Sequence, residues 1–347
     1  MTTDTRTYDM DEGSLVTAAI AGDESAFTTL TRRYRRELHV HCYRMLASFE
    51  DAEDLVQETF LKAWQRRETY HGRASFRAWL YRIATNACLD FLEKKERRVV
   101  EIPLTGASPD TANVIPHVAW LQPYPDRLLD RAASGDSEPD TVLVRKETIE
   151  LAFLVAMQLL PPRQRAALIL CDVLDWSANE AAALLESSVA SVNGALQRAR
   201  DTLRRFRPVR DAQRPAPAES SDEEQALLRR YIELTERNDA HGIAELLRQD
   251  VQFTMPPEPV AFKGRDAVVG SWVQGGFGSP PYNDWKHVVT RANGLPAVVF
   301  YLRRPDGDHY HPFAMDVLRL EHGEVAEITT FDAKPLVGAF DLPETIP

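Results

Sequence analysis

Between Ser14 and Arg98 apolar residues recur three and four positions apart, the spacing of a helix with one buried face. AGDESAFTTLTRRYRRELHVHCYRML is predicted to start its helix at Asp23, whose carboxylate can cap free backbone N–H groups. EDAEDLVQETFLKAWQRR is predicted as a second helix. Its inner stripe is Ala52, Leu55, Thr59 and Ala63, flanked by Val56, Phe60 and Trp64, whereas Asp54, Glu58, Leu61 and Gln65 share another face. Gly72 punctuates the break before SFRAWLYRIATNACLDFLEKKERR. In that third helix Phe76, Leu80, Ile83, Ala87 and Phe91 are expected to point inward. Arg77, Trp79, Tyr81, Arg82 and Asn86 are placed outside or at the margin.

Residues 99–140 are rich in Pro, Gly and Asp and read as a linker rather than a packed domain. A helix from near Lys146 stops at Leu160-Pro161-Pro162, and Arg163 to Leu174 forms the next. Ser177 to Arg205 then reads as helix, turn, helix. Val189, Val192, Leu196, Ala199 and Leu203 line the core side of the last helix, while Ser187, Ser191, Gly194, Gln197, Arg198 and Arg205 face outward. Small, amide and guanidinium groups on one helical face suit the edges of bases and the phosphates of a major groove. Taken alone, such a stretch is more often an ordinary surface hairpin, and the rest of the chain has to decide.

A second linker is expected over 211–221. From Asp222 onward, two helices separated near Asp239 give way to strands in DVQFTM, WKHVVTRAN, PAVVFYLRR, PFAMDVLRLEHG and EVAEITTFD. Hairpin turns are expected at Asp306-Gly307 and His322-Gly323. Helices first and an antiparallel sheet after them predict an α+β domain.

Composition adds three constraints. The 347 residues suffice for two or three domains, and no apolar run approaches a membrane span, so a cytoplasmic protein with no membrane contact is expected. Cys42, Cys88 and Cys171 are too scattered for a disulfide framework or a zinc ribbon. His39, His41 and Cys42 crowd together in LHVHC, yet positions two apart on a helix diverge; no metal and no cofactor are expected. The net charge of −11 argues against nucleic acid until the chain is divided. Residues 145–214 carry +3 and residues 215–347 carry −9, which puts the basic excess on the helix-turn-helix.

An acidic helix face holding one leucine is either solvated or a dock for a basic partner. Aromatics interleaved with arginines ahead of Lys94, Lys95, Arg97 and Arg98 suit single-stranded DNA, because bases stack on rings while cations track phosphates.

DAEDLVQETFLKAW, SFRAWLYRIATNACLDFLEKKERR and LPPRQRAALILCDVLDWSANEAAALLESSVASVNGALQRAR together resemble regions 2 and 4 of extracytoplasmic-function (ECF) sigma factors of the sigma-70 family. The two blocks stand in the family's order and span about half of the chain. The resemblance implies a non-enzymatic subunit of bacterial RNA polymerase with two all-α domains, region 2 over 14–98 and region 4 over 141–210. It assigns Asp54, Gln57, Glu58 and Leu61 to core polymerase, through the clamp helices of the β′ subunit. It assigns Arg77, Trp79, Tyr81, Arg82 and Asn86 to the minus-10 element, and Ser191, Asn193, Gly194, Gln197, Arg198 and Arg205 to the minus-35 element of promoter DNA. The β subunit and an anti-sigma factor are further implied partners.

VAWLQPYPDRLLD in the first linker resembles a motif of sigma factors with a fused C-terminal domain. That likeness implies docking through Trp120, Leu121, Pro123 and Tyr124, and an intramolecular contact with the C-terminal domain. Residues 222–347 look like the cone-shaped SnoaL-like, nuclear-transport-factor-like fold, in which Asp250, His309, His311 and Asp316 are candidate acid–base groups and Trp272, Tyr301 and Phe331 candidate apolar walls. No spacing joins them into a catalytic pair, so no catalytic residue is assigned. A one-component helix-turn-helix regulator and a bifunctional isomerase or cyclase are the rival readings.

Overall fold

The computed structural model describes residues 11–72, 74–95, 97–107, 114–129, 149–206 and 222–347. Among them, one unit comprises 11–98, 128–129 and 152–206, and the other 99–127, 149–151 and 222–347.

The first unit is all helical. Helices α1 (Glu12–Ile20), α2 (Glu24–Leu46), α3 (Phe49–Gln65) and α4 (Phe76–Lys94) carry the predicted periodicity. Asp23 caps α2, accepting from the Ser25 and Ala26 N–H groups, and Ser48 and Ser75 cap α3 and α4 through N–H groups of their first turns. Then follow α5 (Leu151–Gln158), α6 (Pro162–Leu168), a π-helical turn (Ile169–Val173), α7 (Ala178–Leu184) and α8 (Val189–Phe206).

One side chain ties the helical halves together. Arg165 of α6 is buried and donates to the carbonyls of Met157, Gln158 and Leu160, to the Gln158 amide oxygen, and to the Met45 carbonyl in the last turn of α2. Carbonyls in a last helical turn lack intrahelical donors, and a guanidinium fork supplies them. Arg97 does the same for Leu46, at 3.2 Å.

In the second unit, α9 (Asp222–Glu236), α10 (Ala240–Leu246) and α11 (Arg265–Gln274) pack on a six-stranded sheet. Its strands are β3 (Leu247–Met255), β4 (Glu258–Lys263), β5 (Trp285–Ala292), β6 (Leu295–Leu302), β7 (His311–Glu321) and β8 (Glu324–Asp332), in spatial order β4-β3-β8-β7-β6-β5. Every pairing is antiparallel except β3 with β8. The short helix α12 (Val337–Phe340) follows the sheet.

Strand β4 and helix α11 are not among the expected elements. Apolar residues surround α11, from buried Val268 to exposed Val273, so no stripe marks it. The β5–β6 hairpin turns at Asn293-Gly294, with φ of 57° and 77°, the pair of positive values a tight two-residue hairpin requires.

The segment expected to be a linker contains structure of its own. Strands β1 (Val100–Pro103) and β2 (Val114–His117) pair antiparallel. Ile102 and Leu104 pack on Ala261 of β4, and Thr105 bridges to Phe262 at the sheet edge. The expectation of an unpacked linker does not hold for these residues, because their few apolar side chains share a core with the sheet edge. Gly106, at φ 87°, makes the close approach possible, since a Cβ there would stand 2.5 Å from both the Ala267 Cβ and the Lys263 carbonyl oxygen. Residues 108–113 and 130–140 of the predicted linker, the predicted start of the next helix near Lys146, and the second linker, 211–221, lie outside the described residues.

Candidate nucleic-acid and polymerase interfaces

On α3, Ala52, Leu55, Val56, Thr59, Phe60 and Ala63 are buried, and this fixes what the opposite face shows. Asp54, Gln57, Glu58 and Leu61, spaced one helical turn apart, are all exposed. Leu61 keeps 57% of its surface in contact with solvent, the most of any large apolar residue among those described. Among the described residues Glu58 pairs with Lys62 of its own helix, at 2.6 Å, a surface contact that costs little to exchange for another partner.

Helix α4 touches α2, α3, α6 and α7, so its buried face is broader than one stripe. Tyr81 is 1% exposed, against the expectation that it lies outside. Its ring packs 4.9 Å from His41 and 5.5 Å from Trp176, and burial raises its hydroxyl pKa. Tyr81 is a core residue here, not an exposed stacking platform. Ile83 and Phe91 are conversely only half-buried. Arg77 is half-buried, held by Glu37 at 2.9 Å and lying over the Tyr81 ring. Trp79 sits 5.5 Å from both Tyr70 and Phe76 and keeps part of its ring open. Arg82 is exposed and pairs with Glu186 in the turn between α7 and α8, and Asn86 is half-buried.

The helix-turn-helix is built by local rules. Ser177 and Glu180 form a reciprocal capping box that starts α7. Glu186 takes a left-handed φ of 49° in the turn, and the Ser188 hydroxyl accepts the Ser191 N–H to start α8. Val192, Ala195, Leu196 and Ala199 are buried, whereas Val189, predicted inside, is 37% exposed because it precedes the first turn that packs. Ser191, Asn193, Gln197, Arg198 and Arg205 are exposed along the outer face and Gly194 is partly so. The Arg198 guanidinium lies close over Gly194, where a Cβ would stand 3.3 Å from it.

Two neighbours went unforeseen. Asp201 accepts from the Gln197 amide at 3.2 Å and from Arg204 at 2.6 Å. Asp172 holds Arg200 through two bonds, at 2.9 and 2.6 Å, so Arg200 braces α8 against the π turn. Arg207 and Arg210 of the predicted basic cluster lie outside the described residues.

The WLQPYPD motif lies against the C-terminal domain. Leu121, Pro123 and Tyr124 are buried and Trp120 is half-buried. Tyr124 exchanges backbone and side-chain hydrogen bonds with Asn293, and the Asp126 carboxylate accepts the Gly294 N–H at 2.8 Å beside Arg291. Arg127 reaches the Ala339 carbonyl at 2.6 Å. The Asn-Gly pair at 293–294 signals the hairpin turn, but nothing in the sequence signals that the linker docks on it.

Of the acid–base candidates, only Asp316 meets the domain's cavity, which Trp272 also lines. Asp250 is exposed and held by Arg248, and His309 and His311 are exposed. Tyr301 and Phe331 are buried in the sheet and do not line the cavity; the Tyr301 hydroxyl donates to the Pro343 carbonyl. His41 is buried against Thr85 at 2.9 Å, and His39 stands 3.4 Å from Glu53. Among the described residues no three His, Cys, Asp or Glu side chains cluster as metal ligands, and no helix is long and apolar enough to cross a membrane.

With these surfaces in place, comparison with known proteins assigns the blocks. Residues 30–98 match sigma-70 region 2, residues 150–203 match sigma-70 region 4, and residues 228–328 match the SnoaL-like domain. The chain is 40% identical to the ECF RNA polymerase sigma factor SigG of Mycobacterium tuberculosis over 325 residues, 92% of this chain and 85% of that one. It is 27% identical to the ECF RNA polymerase sigma factor SigW of Bacillus subtilis over 53% of this chain and 90% of that one. In fold it is similar to the crystal structure of the M. tuberculosis ECF sigma factor SigJ, with a TM-score of 0.56 and 21% identity, over 91% of this chain and all of that one. The helical blocks that carry the exposed α3 and α8 faces, and the domain that follows them, are therefore those of a known group: the chain belongs to the extracytoplasmic-function sigma factors of the sigma-70 family, with a SnoaL-like domain fused behind region 4.

Proposed function

We propose that this cytoplasmic chain binds core RNA polymerase, recognises a two-element promoter and melts its minus-10 region, leaving polymerisation to its partner. The observation that carries this reading is the pairing, on one chain, of two outward faces with different chemistry. The acidic face of α3 offers Asp54, Gln57, Glu58 and an exposed Leu61, a combination suited to a basic protein groove such as the β′ clamp. The outer face of α8 offers Ser191, Asn193, Gln197 and Arg198, amide and guanidinium donors of the kind that read base edges at the minus-35 element, with Arg205 positioned for phosphate.

At the minus-10 element, Trp79 is the ring available to an unstacked base, while Arg82 and Asn86 supply hydrogen bonds. Arg77 positions α4 through Glu37, and Tyr81 supports the helix from beneath. The SnoaL-like domain regulates the sigma module through the linker it grips, and an anti-sigma factor is a further partner. Catalysis has no part in this reading.

Run-off transcription with purified core polymerase tests it, using wild type and an Asp54→Ala, Glu58→Ala double variant. Wild type is expected to initiate from a subset of genomic fragments and the double variant to lose most of that activity. Absence of promoter-dependent initiation by wild type refutes the function. A fully active double variant refutes only the α3 docking face.

A further inference from the structure

Asn193, Gln197, Asp201 and Arg204 follow one another along a single stripe of α8, each about one turn beyond the last. Three of the four suit DNA. Asp201 does not, because phosphates repel a carboxylate on the face that approaches them. Both of its oxygens accept from the Gln197 side-chain nitrogen, at 3.2 Å each, and Oδ1 also accepts from the Arg204 guanidinium at 2.6 Å.

An ionised carboxylate only accepts, so the end of the Gln197 amide turned toward Asp201 must be the nitrogen. Two oxygens of one carboxylate lie in nearly the same direction from that nitrogen, so they share one N–H. The amide keeps its second N–H and its carbonyl oxygen for a base. Adenine asks for that pair in the major groove, an acceptor for its N6 amino group and a donor for N7. Guanine presents two acceptors, O6 and N7, and asks for two donors. A glutamine amide free to turn meets guanine with both N–H groups, whereas one tethered to a carboxylate cannot.

We propose that Asp201 is a specificity-determining positioning residue: by holding one N–H of Gln197 it makes that side chain select adenine over guanine at one position of the minus-35 element. The proposal rests on the promoter reading given above. In water the Gln197–Asp201 bond contributes little, as exposed pairs four apart on a helix do. Docking on DNA expels water from this face. An amide turned toward guanine then leaves Asp201 Oδ2 without its donor in a dry interface, a costlier exchange.

The same carboxylate offsets the charge of Arg204, as Asp172 offsets that of Arg200. Two of the four arginines of α8 are thereby drawn away from phosphate, and the exposed Arg198 and Arg205 remain for it. Asp201 lowers sequence-independent attraction and sharpens the choice of base.

The test uses the full chain assembled with core polymerase and a promoter duplex randomised across its minus-35 element, with bound and unbound duplexes sequenced. Wild type is expected to favour adenine over guanine about tenfold at one position, and Gln197→Ala to abolish that preference. Asp201→Ala is expected to cut it to under about threefold and to leave the other positions unchanged. Because Arg204 is then released, the slope of log affinity against log salt is expected to steepen by about 0.9. Asp201→Asn separates the two effects. Its oxygen still accepts the Gln197 N–H, so most of the adenine preference is kept, but the neutral side chain no longer offsets Arg204 and the slope steepens.

A wild type indifferent between adenine and guanine at the position Gln197 controls overturns the proposal, as does an undiminished preference in folded Asp201→Ala. An unchanged salt slope in both Asp201 variants overturns the effect on Arg204. A lower melting temperature with both readouts unchanged shows helix stabilisation alone and overturns the whole. Selection of no minus-35 sequence by wild type refutes promoter recognition and the proposal with it, whereas the other outcomes refute the proposal and leave promoter recognition standing.

Discussion

Tyr124 and Asn293 hold each other in both directions. The Asn293 N–H donates to the Tyr124 carbonyl at 2.9 Å, and the Tyr124 N–H donates to the Asn293 side-chain oxygen at 2.8 Å. The Asn293 amide nitrogen then donates to the Ile149 carbonyl at 2.6 Å, so one fully buried side chain joins the two ends of the segment between the helical blocks. Asn293 can do this because its φ of 57° suits the hairpin turn and leaves the amide free to point away from it.

Asn293→Gly separates the two roles, since glycine keeps the turn and loses the amide. The buried Tyr124 N–H and Ile149 carbonyl lose their hydrogen bonds to the amide, at a cost of about 2–4 kcal/mol. Thermal unfolding of the C-terminal unit is expected several degrees lower, with faster amide exchange at residues 121–127. Asn293→Ala adds the penalty of a left-handed non-glycine residue, about 1 kcal/mol more. Unchanged exchange at Tyr124 in both variants would refute the staple.

Tyr81 and Arg82 are adjacent and are expected to fail in different ways. Tyr81→Ala leaves a cavity between α4, His41 and Trp176 and is expected to cost about 3–5 kcal/mol. Tyr81→Phe keeps the packing and promoter opening. Arg82→Ala breaks an exposed pair with Glu186 and costs under about 1 kcal/mol, yet is expected to reduce minus-10 opening. Permanganate footprinting alongside melting curves separates these outcomes; normal opening with Arg82→Ala would remove that residue from the minus-10 site.

Among the described residues Arg165 donates to five oxygens, all neutral, on α2 and around the α5–α6 junction. Arg165→Ala orphans buried carbonyls and is expected to destabilise the helical unit by about 3–5 kcal/mol. Arg165→Lys is expected to recover little, because a point ammonium cannot reproduce a planar fork. Chemical denaturation of the three proteins checks this, and full recovery by lysine would show that charge, not geometry, is what α2 requires.

Burial, reinforced by the nearby Arg44 and Arg77 charges, holds His41 neutral and lowers its pKa from 6.5 to about 3. Above pH 6.5 neither the folded nor the unfolded chain protonates it, so stability is unaffected. As pH falls below 6.5 the unfolded chain takes up the proton first and gains, at up to about 1.4 kcal/mol per pH unit, until the folded pKa is reached near 3. His39, lowered to about 4, acts in the same direction. Melting curves between pH 7.5 and 5 are expected to fall, and His41→Gln to flatten the dependence; an equally steep slope in the variant would remove His41 as its source.

The helical blocks were legible because their information is local. Apolar spacing marks the inner faces of α2 and α3, the Ser177–Glu180 capping box marks the start of α7, and what faces outward on α3 and α8 follows from what faces inward. Long motifs in order then identified the family from residues alone. The outward sets on α3 and α8 were readable for the same reason, whereas α4 was not. Packed by neighbours on more than one side, it buries Tyr81, which a single stripe places outside.

What the sequence by itself determined is therefore the set of helices, the alternation of the later strands and the chemistry of two exposed faces, all properties of residues within a turn or two of one another. Only the tertiary structure decided that residues 99–127 form part of the C-terminal unit, that Asp316 and not Asp250 or His309 meets the cavity, and that Asn293 joins Tyr124 to Ile149. Asn293 lies more than a hundred residues along the chain from either partner. Their pairing depends on which buried polar group finds its complement after the sheet has closed, and no periodicity along the chain records that.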